Sequence, residues 1–414
     1  DEDKITAEGV RYDPHFKPQW NPDLLLAQNY ISHLGVYRTS LLRELGGFRE
    51  GYEGAQDHDL ALRVTERLQP GQIVHIPFVL YHWRASAGST ALDSGQKSYT
   101  TEAGLAAVRD HLARQAREAI VEPGAFPNTY RVRWPQPRPT PLISLLIPTR
   151  DRVEILRPCV DAILARTEHP NFEVLILDNQ SECPDTLAYM SEVMKRDARV
   201  RVLQWDKPFN YSAINNFGAR HARGEILGLV NNDIEPINGD WLDEMVRQAV
   251  RQEIGCVGAK LYYPNDTIQH GGVILGLGGV AGHAHKHFDR SSPGYFYRLH
   301  LVHNLSAVTA ACLLVRKEVF EQVGGLDETN LPIAFNDVDF CLKVRAAGYR
   351  NLWTPYAELY HHESASRGSD DTAAKRARAK AEVEYMRRTW AAELDSDPAY
   401  NPNLTRAYGD FSLR

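Results

Sequence analysis

Cysteine is scarce in this chain of 414 residues, and the few that occur are scattered. The five cysteines lie far apart, at positions 159, 183, 256, 312 and 341. An odd number without close pairs excludes a disulfide framework and a four-thiolate zinc site, because both need paired or regularly spaced thiols. This usage is typical of a reducing compartment, so the sequence predicts a cytoplasmic location.

Excess positive charge and long apolar runs are also lacking. Aspartate plus glutamate outnumber lysine plus arginine by 53 to 47, and the formal net charge is −6. That balance gives no electrostatic basis for a nucleic acid as the main partner. No apolar run approaches the roughly 20 residues that span a bilayer, and the opening residues DEDK show no initiator methionine and no signal peptide. We expect at most a peripheral contact with the inner face of the cytoplasmic membrane.

One decapeptide returns late in the chain in nearly the same form. AQDHDLALRV at residues 55–64 matches FNDVDFCLKV at residues 335–344, and a Gly-Gly pair precedes each copy, at 46–47 and 324–325. The spacing between paired landmarks is constant to within two residues, and this period is too long for a solenoid. The sequence therefore predicts two copies of one domain.

The first copy is predicted to be the second half of such a domain. His82 follows the first decapeptide as His361 follows the second, while the acidic triplet at residues 1–3 corresponds to the triplet at 231–233. The start of the chain is therefore expected to be a fragment boundary. The predicted layout is a truncated domain with a connector helix at 1–126, a Pro/Arg-rich linker at 127–141, a complete domain at 142–365, and a C-terminal helix and tail at 366–414.

The complete copy alternates between strand and helix patterns. Apolar runs with β-branched residues predict buried strands at 143–148, 172–178, 200–205 and 225–233. Helical spacing between them predicts helices at 152–166 and 212–223, with Pro158 in the first turn of the former. This alternation is typical of a doubly wound, mostly parallel α/β sheet, in which ligands bind at the carboxyl ends of the strands.

Acidic and amide side chains fall at those strand ends. Asp178 closes the second strand, and Asn231, Asn232 and Asp233 close the fourth. There is no GxGxxG after the first strand and no GxxxxGK[ST], so the common dinucleotide and P-loop arrangements are disfavoured. A nucleotide can be held in another way, with Asp178 accepting hydrogen bonds from base or ribose and Asp233 binding a divalent cation that carries the diphosphate.

Several motifs occur in the order of a known family. These are IPTRD, ILDNQS, PFNYSAINNFGARHARGE, LVNND, NDVDFCLKVRAAGY and YHHESASRG. In this order they resemble a family 2 glycosyltransferase of the GT-A fold, and most closely the rhamnosyltransferase-like enzymes of bacterial surface-polysaccharide (O-antigen) synthesis. The resemblance covers about 142–365 completely, and 1–90 as the second half of another such domain.

The resemblance implies an inverting, metal-dependent transfer of a sugar, possibly rhamnose, from a UDP-, dTDP- or GDP-linked donor to a polysaccharide or lipid-linked glycan. It places Mg²⁺ or Mn²⁺ beside the diphosphate and makes Asp337 the general base. By the same resemblance Asp233 and His361 are metal ligands, and the nucleotide or donor is held by Pro148, Thr149, Asp178, Asn216, Gly218, Asn231 and Asn232. The family's Asp-x-Asp is Asn-Asn-Asp in this chain, which leaves the other metal ligands open.

The residues alone also allow simpler roles. Either carboxylate of Asp337 and Asp339 can cap the helix predicted after them, and this is the favoured role for Asp339. Asp178 can simply begin a turn. The alternating His283, His285 and His287 would span too far along one strand face for a compact zinc site, so a loop that contacts the acceptor is expected there.

The C-terminal segment and the function as a whole each allow an alternative. The basic helix predicted at 373–390 is expected to pack on the domain through Val383, Tyr385, Met386 and Trp390, with adhesion to an anionic membrane as the alternative. A non-catalytic module that binds glycan or a partner is the alternative function. A nucleotidyltransferase ranks lower, because IPTRDRVEI contains no glycine run.

Overall fold

The computed structural model describes residues 1–84, 98–362 and 372–414. The first part of the chain forms a small sheet, three short helices, a long helix and a hairpin. Their bounds are β1 Glu2–Ile5, β2 Arg11–His15, α1 Pro22–Ala27, α2 Thr39–Glu44, α3 Gln56–Thr65, β3 Tyr81–Arg84, α4 Ser98–Arg114, β4 Ile120–Pro123 and β5 Tyr130–Arg133.

The middle of the chain alternates between strands and helices before it turns to short strands. Its elements are β6 Ile143–Thr149, α5 Val153–Arg166, β7 Phe172–Asp178, α6 Pro184–Arg196, β8 Val200–Gln204, α7 Tyr211–His221, β9 Ile226–Val230, β10 Ile234–Pro236, α8 Trp241–Ala249, β11 Ile254–Tyr262, β12 Ile268–His270, β13 Val273–Leu275 and β14 Ala281–His283. The last elements are β15 His303–Leu305, β16 Cys312–Arg316, α9 Lys317–Gln322, α10 Asn336–Ala346, β17 Arg350–His361, α11 Ala373–Thr389 and α12 Ala391–Asp395.

The central sheet is mixed, with the order β10-β17-β11-β16-β9-β6-β7-β8. Strands β9, β6, β7 and β8 are parallel, whereas β16 runs antiparallel to both β9 and β11. The predicted strands at 143–148 and 172–178 are confirmed, and every residue of β6 and β7 is buried. Both faces of these strands are covered, which is why their sequences are continuously apolar. The α/β class is confirmed; the antiparallel β16 makes the sheet less uniformly parallel than the doubly wound prediction.

Helices cover the sheet on two sides. Side chains of α5, α6 and α8 pack with one set of strand residues, and those of α7, α9 and α10 pack with the other. Helix α7 lies close to the strands at Gly218, where a Cβ would be 2.6 Å from Leu177 Cδ1. Pro158 lies inside α5 and not in its first turn, because the helix begins only at Val153, after Arg152 in the left-handed region at φ 58°.

The two decapeptides have the same local structure. Each begins a helix, α3 or α10, and each is preceded by a Gly-Gly pair with positive φ, 77° and 69° in the first copy and 80° and 69° in the second. In the first copy Arg63 donates to the Gly47 carbonyl at 2.6 Å, and in the second Lys343 donates to that of Gly325 at 2.7 Å. The sequence repeat therefore corresponds to a structural repeat of this helical segment.

Residues of the first copy pack directly against the central sheet. Asn21 exchanges hydrogen bonds with the Asn304 backbone at 2.8 and 2.9 Å. Asp23 is buried, and its carboxylate lies 2.7 Å from Arg251, which is also buried. Although burial raises the pKa of Asp23, Arg251 and Arg350 lower it below its usual value.

The segment 127–141, predicted as a linker, contains a strand and a buried tryptophan in the structure. Residues 130–133 form β5, which pairs with β4 in a hairpin. Trp134 is buried between the guanidinium groups of Arg117 and Arg251, whose centres lie 4.6 and 4.5 Å from the indole. The arginine content of 127–141 was misleading because Arg131 stacks on the Tyr356 ring and pairs with Glu244 at 3.0 Å, and Arg133 lies 3.4 Å from Glu122.

The C-terminal helix is confirmed as α11 and packs on the domain. Val383, Tyr385, Met386 and Trp390 all contact the core, as the sequence predicts. Glu382 is buried and accepts hydrogen bonds from the backbone N–H groups of Ile333 and Ala334 at 2.9 and 3.0 Å. Across the described ranges, no helix is both long and apolar enough to cross a membrane.

Candidate active site

Three predicted residues meet where β6, β7 and β9 end. Thr149 and Asp178 are direct neighbours in the register of β6 and β7. Asn232, two residues after β9, donates from Nδ2 to Thr149 Oγ1 at 3.1 Å. All three side chains are buried. The carboxyl ends of parallel strands thus bring together residues that are distant in sequence, as expected for a binding edge.

The Asp178 carboxylate takes part in a turn. It accepts a hydrogen bond from Ser181 N at 3.2 Å, and the side chain is 1% exposed. Asp178 therefore has the turn-forming role that the sequence also allows. Pro148, whose backbone was predicted to face the nucleobase, lies inside β6. Nucleotide binding by Pro148, Thr149 and Asp178 stays a prediction.

The loop after β6 is tied to the loop after β7. Asp151 has a positive φ of 49°, and its Oδ1 accepts hydrogen bonds from Glu182 N and Cys183 N, both at 2.8 Å. Sequence reasoning did not single out Asp151, although it lies in the IPTRD motif. Its contacts fix the relative position of the two loops at the binding edge.

Asn231, Asp233 and His361 form a compact cluster. His361 Nε2 lies 3.2 Å from Asp233 Oδ1 and 3.2 Å from Asn231 Nδ2. Strand pairing causes this proximity, because β10 begins directly after Asp233 and runs antiparallel to β17, which ends at His361. The two predicted metal ligands are therefore adjacent, although 128 positions of sequence separate them.

This cluster fits a divalent cation. Asp233 Oδ1 and His361 Nδ1 are buried and have no hydrogen-bond partner among the residues described. No group of three or more histidine, cysteine, aspartate or glutamate side chains is arranged to hold a metal in the described ranges. Two protein ligands are sufficient where phosphate oxygens and water complete the coordination shell. The amide of Asn231 offers a further oxygen if its oxygen and nitrogen are exchanged, since the two are assigned from hydrogen bonding.

Asp337 lies in the first turn of α10 and is half-buried. Its Oδ2 accepts a hydrogen bond from Ala310 N at 3.1 Å, and its Oδ1 accepts one from Val338 N at 2.9 Å. These two donors orient the carboxylate. The Asp337 carboxylate is thereby held beside Ala310, in the segment just before β16.

Tyr211 connects Asp337 to the Asn231 cluster. Its hydroxyl lies 3.3 Å from the Ala310 carbonyl and 3.4 Å from Asn231 Oδ1. Asn231 N in turn donates to the Ala311 carbonyl at 3.0 Å. The predicted base and the predicted metal ligands therefore lie on one continuous network. Tyr211 was missed as a site residue; its position at the start of α7, in the PFNYSAINN motif, was the available signal.

Asp339 has a structural role, although not the predicted one. It does not cap α10, because the helix begins three residues earlier at Asn336 and Phe335 occupies the cap position. Asp339 is 2% exposed, accepts a hydrogen bond from Trp390 Nε1 at 2.8 Å and lies 3.2 Å from Lys343 Nζ. The carboxylate therefore joins α10 to the C-terminal helix.

Asn216 and Gly218 make internal contacts in α7. The Asn216 amide exchanges hydrogen bonds with the backbone of Leu326, both at 2.9 Å, and Gly218 packs against Leu177. These contacts explain why an amide and a glycine occur at these positions. The predicted approach of Asn216 and Gly218 to the donor stays a prediction.

The three alternating histidines do not share a strand face. β14 ends at His283, and His285 and His287 both have positive φ, 57° and 66°. His283 Nδ1 lies 2.8 Å from His270 Nδ1. Burial lowers the pKa of His270 well below its usual value, and the neighbouring charges of His283 and His361 act in the same direction. His270 is therefore a neutral imidazole close to the candidate site.

Comparison with known proteins finds similarity to one family over part of the chain. The sequence model described as Glycosyl transferase family 2 matches residues 144–324. The uncharacterised protein y4gI of Sinorhizobium fredii is 56% identical over 414 residues, which is 100% of this chain and 45% of that protein. The O-antigen biosynthesis protein RfbC of Myxococcus xanthus is 43% identical over 422 residues, which is 100% of this chain and 32% of RfbC. The chain thus spans less than half the length of either relative.

A shorter similarity involves an enzyme with a more specific name. N-acetylglucosaminyl-diphospho-decaprenol L-rhamnosyltransferase of Mycobacterium tuberculosis is 40% identical over 63 residues. The match covers 15% of this chain and 20% of that enzyme.

Proposed function

The chain carries a glycosyl transferase family 2 domain over residues 144–324, and from this premise we propose that it transfers a sugar from a nucleotide-sugar donor to a polysaccharide or lipid-linked glycan. The observation that carries the proposal is the network joining Asp337, Tyr211, Asn231 and Asp233. It links a candidate base to a candidate cation site at the carboxyl edge of the sheet.

Asp337 is proposed as the general base of an inverting transfer. The carboxylate takes the proton of the acceptor hydroxyl while that oxygen bonds to the anomeric carbon and the bond to the diphosphate breaks. A single carboxylate suffices because the nucleophile enters opposite the leaving group. The hydrogen bonds from Ala310 N and Val338 N support this role, since they hold the carboxylate in one orientation.

Asp233 and His361, with the Asn231 amide, are proposed to hold the divalent cation. When bound, the cation would neutralise charge on the departing diphosphate. Asp233 Oδ1 is buried beside His361 Nε2, at 3.2 Å, and has no hydrogen-bond partner among the described residues, which supports this assignment. An imidazole nitrogen in the ligand set suits a transition metal better than Mg²⁺, so Mn²⁺ is the preferred ion of the two.

Thr149, Asp178 and Asn232 are proposed to bind the base and ribose of the donor. Support comes from their position at the ends of adjacent parallel strands. A rhamnosyl donor, dTDP-linked, UDP-linked or GDP-linked, is proposed from the local similarity to an L-rhamnosyltransferase. Surface-polysaccharide synthesis is proposed from the similarity to RfbC.

Residues 1–84 are proposed to be the second half of a related domain. The shared Gly-Gly turn and basic-residue contact in α3 and α10 support this proposal. Each copy also brings an aspartate against a histidine, Asp3 Oδ1 with His82 Nδ1 at 2.5 Å and Asp233 Oδ1 with His361 Nε2 at 3.2 Å, although the strands involved pair in parallel in the first copy and antiparallel in the second.

A donor screen tests the proposed function. UDP-, dTDP- and GDP-sugars would be assayed for binding and for slow hydrolysis, with Mn²⁺ and with EDTA, on the native chain and on Asp233→Ala. We expect binding and hydrolysis for one nucleotide class, lost with EDTA and in the variant. Binding of a saccharide without any nucleotide-sugar binding would instead favour the non-catalytic module.

A further inference from the structure

The first part of the chain contains a second cleft, of about 620 Å³. Its walls come from residues 2–33, the start of α3, and a segment of the family domain that includes Phe296 and Tyr297. The volume lies within the range of about 300 to 1,000 Å³ typical of small-ligand sites. Asp57, which corresponds to Asp337 in the repeat, lies on its wall and accepts a hydrogen bond from Asn29 Nδ2 at 2.9 Å.

The charge of this cleft disfavours a phosphorylated ligand. Glu2, Asp3, Asp13 and Asp57 line it, whereas Lys4 is the one lysine or arginine among the described residues of its wall. Lys4, Arg11 and Lys17 already pair with Asp13, Asp3 and Glu2, at 2.6, 2.5 and 3.4 Å. These cations are therefore engaged and Asp57 adds a negative charge, which disfavours a diphosphate at neutral pH.

A bound cation does not remove this repulsion. Both oxygens of Asp3 are engaged, Oδ2 by Arg11 Nε at 2.5 Å and Oδ1 by His82 Nδ1 at 2.5 Å. In the second copy Asp233 Oδ1 lies 3.2 Å from His361 Nε2 and has no hydrogen-bond partner among the described residues. In the first copy Arg11 therefore competes with any cation for the Asp3 carboxylate.

Aromatic rings give the cleft a second kind of surface. Trp83, Tyr99, Phe296 and Tyr297 line it, and none of them is buried. Phe296 and Tyr297 both have positive φ, 46° and 66°, which costs non-glycine residues roughly 1–2 kcal/mol each. The faces of such rings are negative and attract C–H groups, as sugars present on one side of the pyranose ring.

His58 offers an unused hydrogen-bond acceptor on the cleft wall. The ring is 1% exposed, and Nε2 lies 2.7 Å from the Leu25 carbonyl, so Nε2 carries the proton. Burial lowers the pKa of His58, which keeps the ring neutral. Nδ1 is then an acceptor without a partner among the described residues.

We propose that this cleft binds a neutral saccharide unit of a glycan, independently of nucleotide and metal. Ring faces contact the sugar, and the carboxylates, Asn29 and His58 accept from or donate to its hydroxyl groups. The proposal concerns binding alone and does not need the transfer reaction.

Ligand-observed saturation-transfer NMR on the full chain tests it. The probes are the methyl glycosides of rhamnose, glucose, galactose, mannose and N-acetylglucosamine, with dTDP and UDP as anionic probes. We expect transfer to at least one glycoside with EDTA present. Trp83→Ala and Asp57→Asn should abolish the signal, while Tyr408→Ala, an exposed aromatic outside the cleft, should retain it.

Asp233→Ala separates this proposal from the proposed function. The variant should lose nucleotide binding and keep the glycoside signal. No transfer to any glycoside overturns the proposal, as does a signal that survives both cleft variants or follows Asp233. Circular dichroism and melting curves identify a cleft variant that has failed to fold; for such a variant, Tyr297→Ala replaces Trp83→Ala.

Discussion

Replacing the two aspartates of α10 one at a time separates proton transfer from stability. Asp337→Asn keeps the shape of the side chain but cannot accept the acceptor's proton. Positioned bases contribute on the order of 100- to 10,000-fold, so turnover should fall by that factor, which is about 3 to 5.5 kcal/mol in activation free energy. Donor affinity should be nearly unchanged, because proton removal develops in the transition state.

The hydrogen bonds of Asp337 also determine how much stability Asp337→Asn should lose. Each oxygen of Asp337 accepts one backbone N–H, from Ala310 and Val338. Asparagine has a single carbonyl oxygen, so one of these hydrogen bonds is lost, at about 1 kcal/mol. The melting temperature of Asp337→Asn should therefore fall slightly, and far less than the activity.

Asp339→Asn is the matched control. The substitution retains an acceptor for Trp390 Nε1 but removes the charge beside Lys343. Lys343 is partly exposed and still donates to Gly325, so the loss should be about 1.5 kcal/mol of unfolding free energy. Turnover of the folded fraction should remain near that of the native chain.

Turnover, donor affinity by calorimetry and thermal unfolding would be measured for both variants. If Asp339→Asn abolishes turnover and Asp337→Asn does not, the wrong carboxylate has been assigned as the base. If neither changes turnover, the proposed transfer mechanism is wrong.

Three further predictions concern the cation, the packing of the first copy and acid stability. Asp233→Ala should abolish Mn²⁺-dependent binding of a nucleoside diphosphate in calorimetry, and equal native affinity with Mn²⁺ and with EDTA would contradict the metal assignment. Asp23→Ala removes the 2.7 Å partner of Arg251, which keeps Glu253 at 3.1 Å, so chemical denaturation should show a loss of about 2 kcal/mol; an unchanged midpoint would refute this. Burial raises the pKa of Glu253, but Arg251 and Arg117 outweigh it and lower the pKa from 4.5 to about 2. The stabilisation is present above pH 4.5 and lost as pH falls towards 2, so Glu253→Gln should flatten stability in that window, and parallel profiles would argue against it.

Local sequence patterns were sufficient to predict β6 and β7, whose carboxyl ends form the candidate binding edge. The apolar runs of β6 and β7 predict buried strands because such runs occur where both faces of a sheet are covered. Parallel pairing then places Thr149 beside Asp178. The adjacency of Asp233 and His361 was available only from the family resemblance, since it depends on the antiparallel pairing of β10 with β17.

Contacts between distant segments were out of reach of the sequence. Tyr211 meets the Ala310 carbonyl across 99 positions, and no period or motif encodes that distance. Asp339 was expected to cap a helix, yet its partner Trp390 lies 51 positions later, between α11 and α12. Trp134 lies in a segment with the composition of a linker, and only the stacked arginines show why it is buried.

The contacts of the C-terminal helix bear on how this protein can be dissected. The match to the family model ends at residue 324. Beyond it, Glu382 accepts hydrogen bonds from the backbone just before α10, and Trp390 donates one to Asp339 within α10. A fragment that tests the proposed transfer therefore has to include Trp390. A fragment that ends between His361 and Trp390 would retain every proposed nucleotide ligand but would leave the proposed base, Asp337, on a less supported helix, so we expect it to bind donor and transfer poorly.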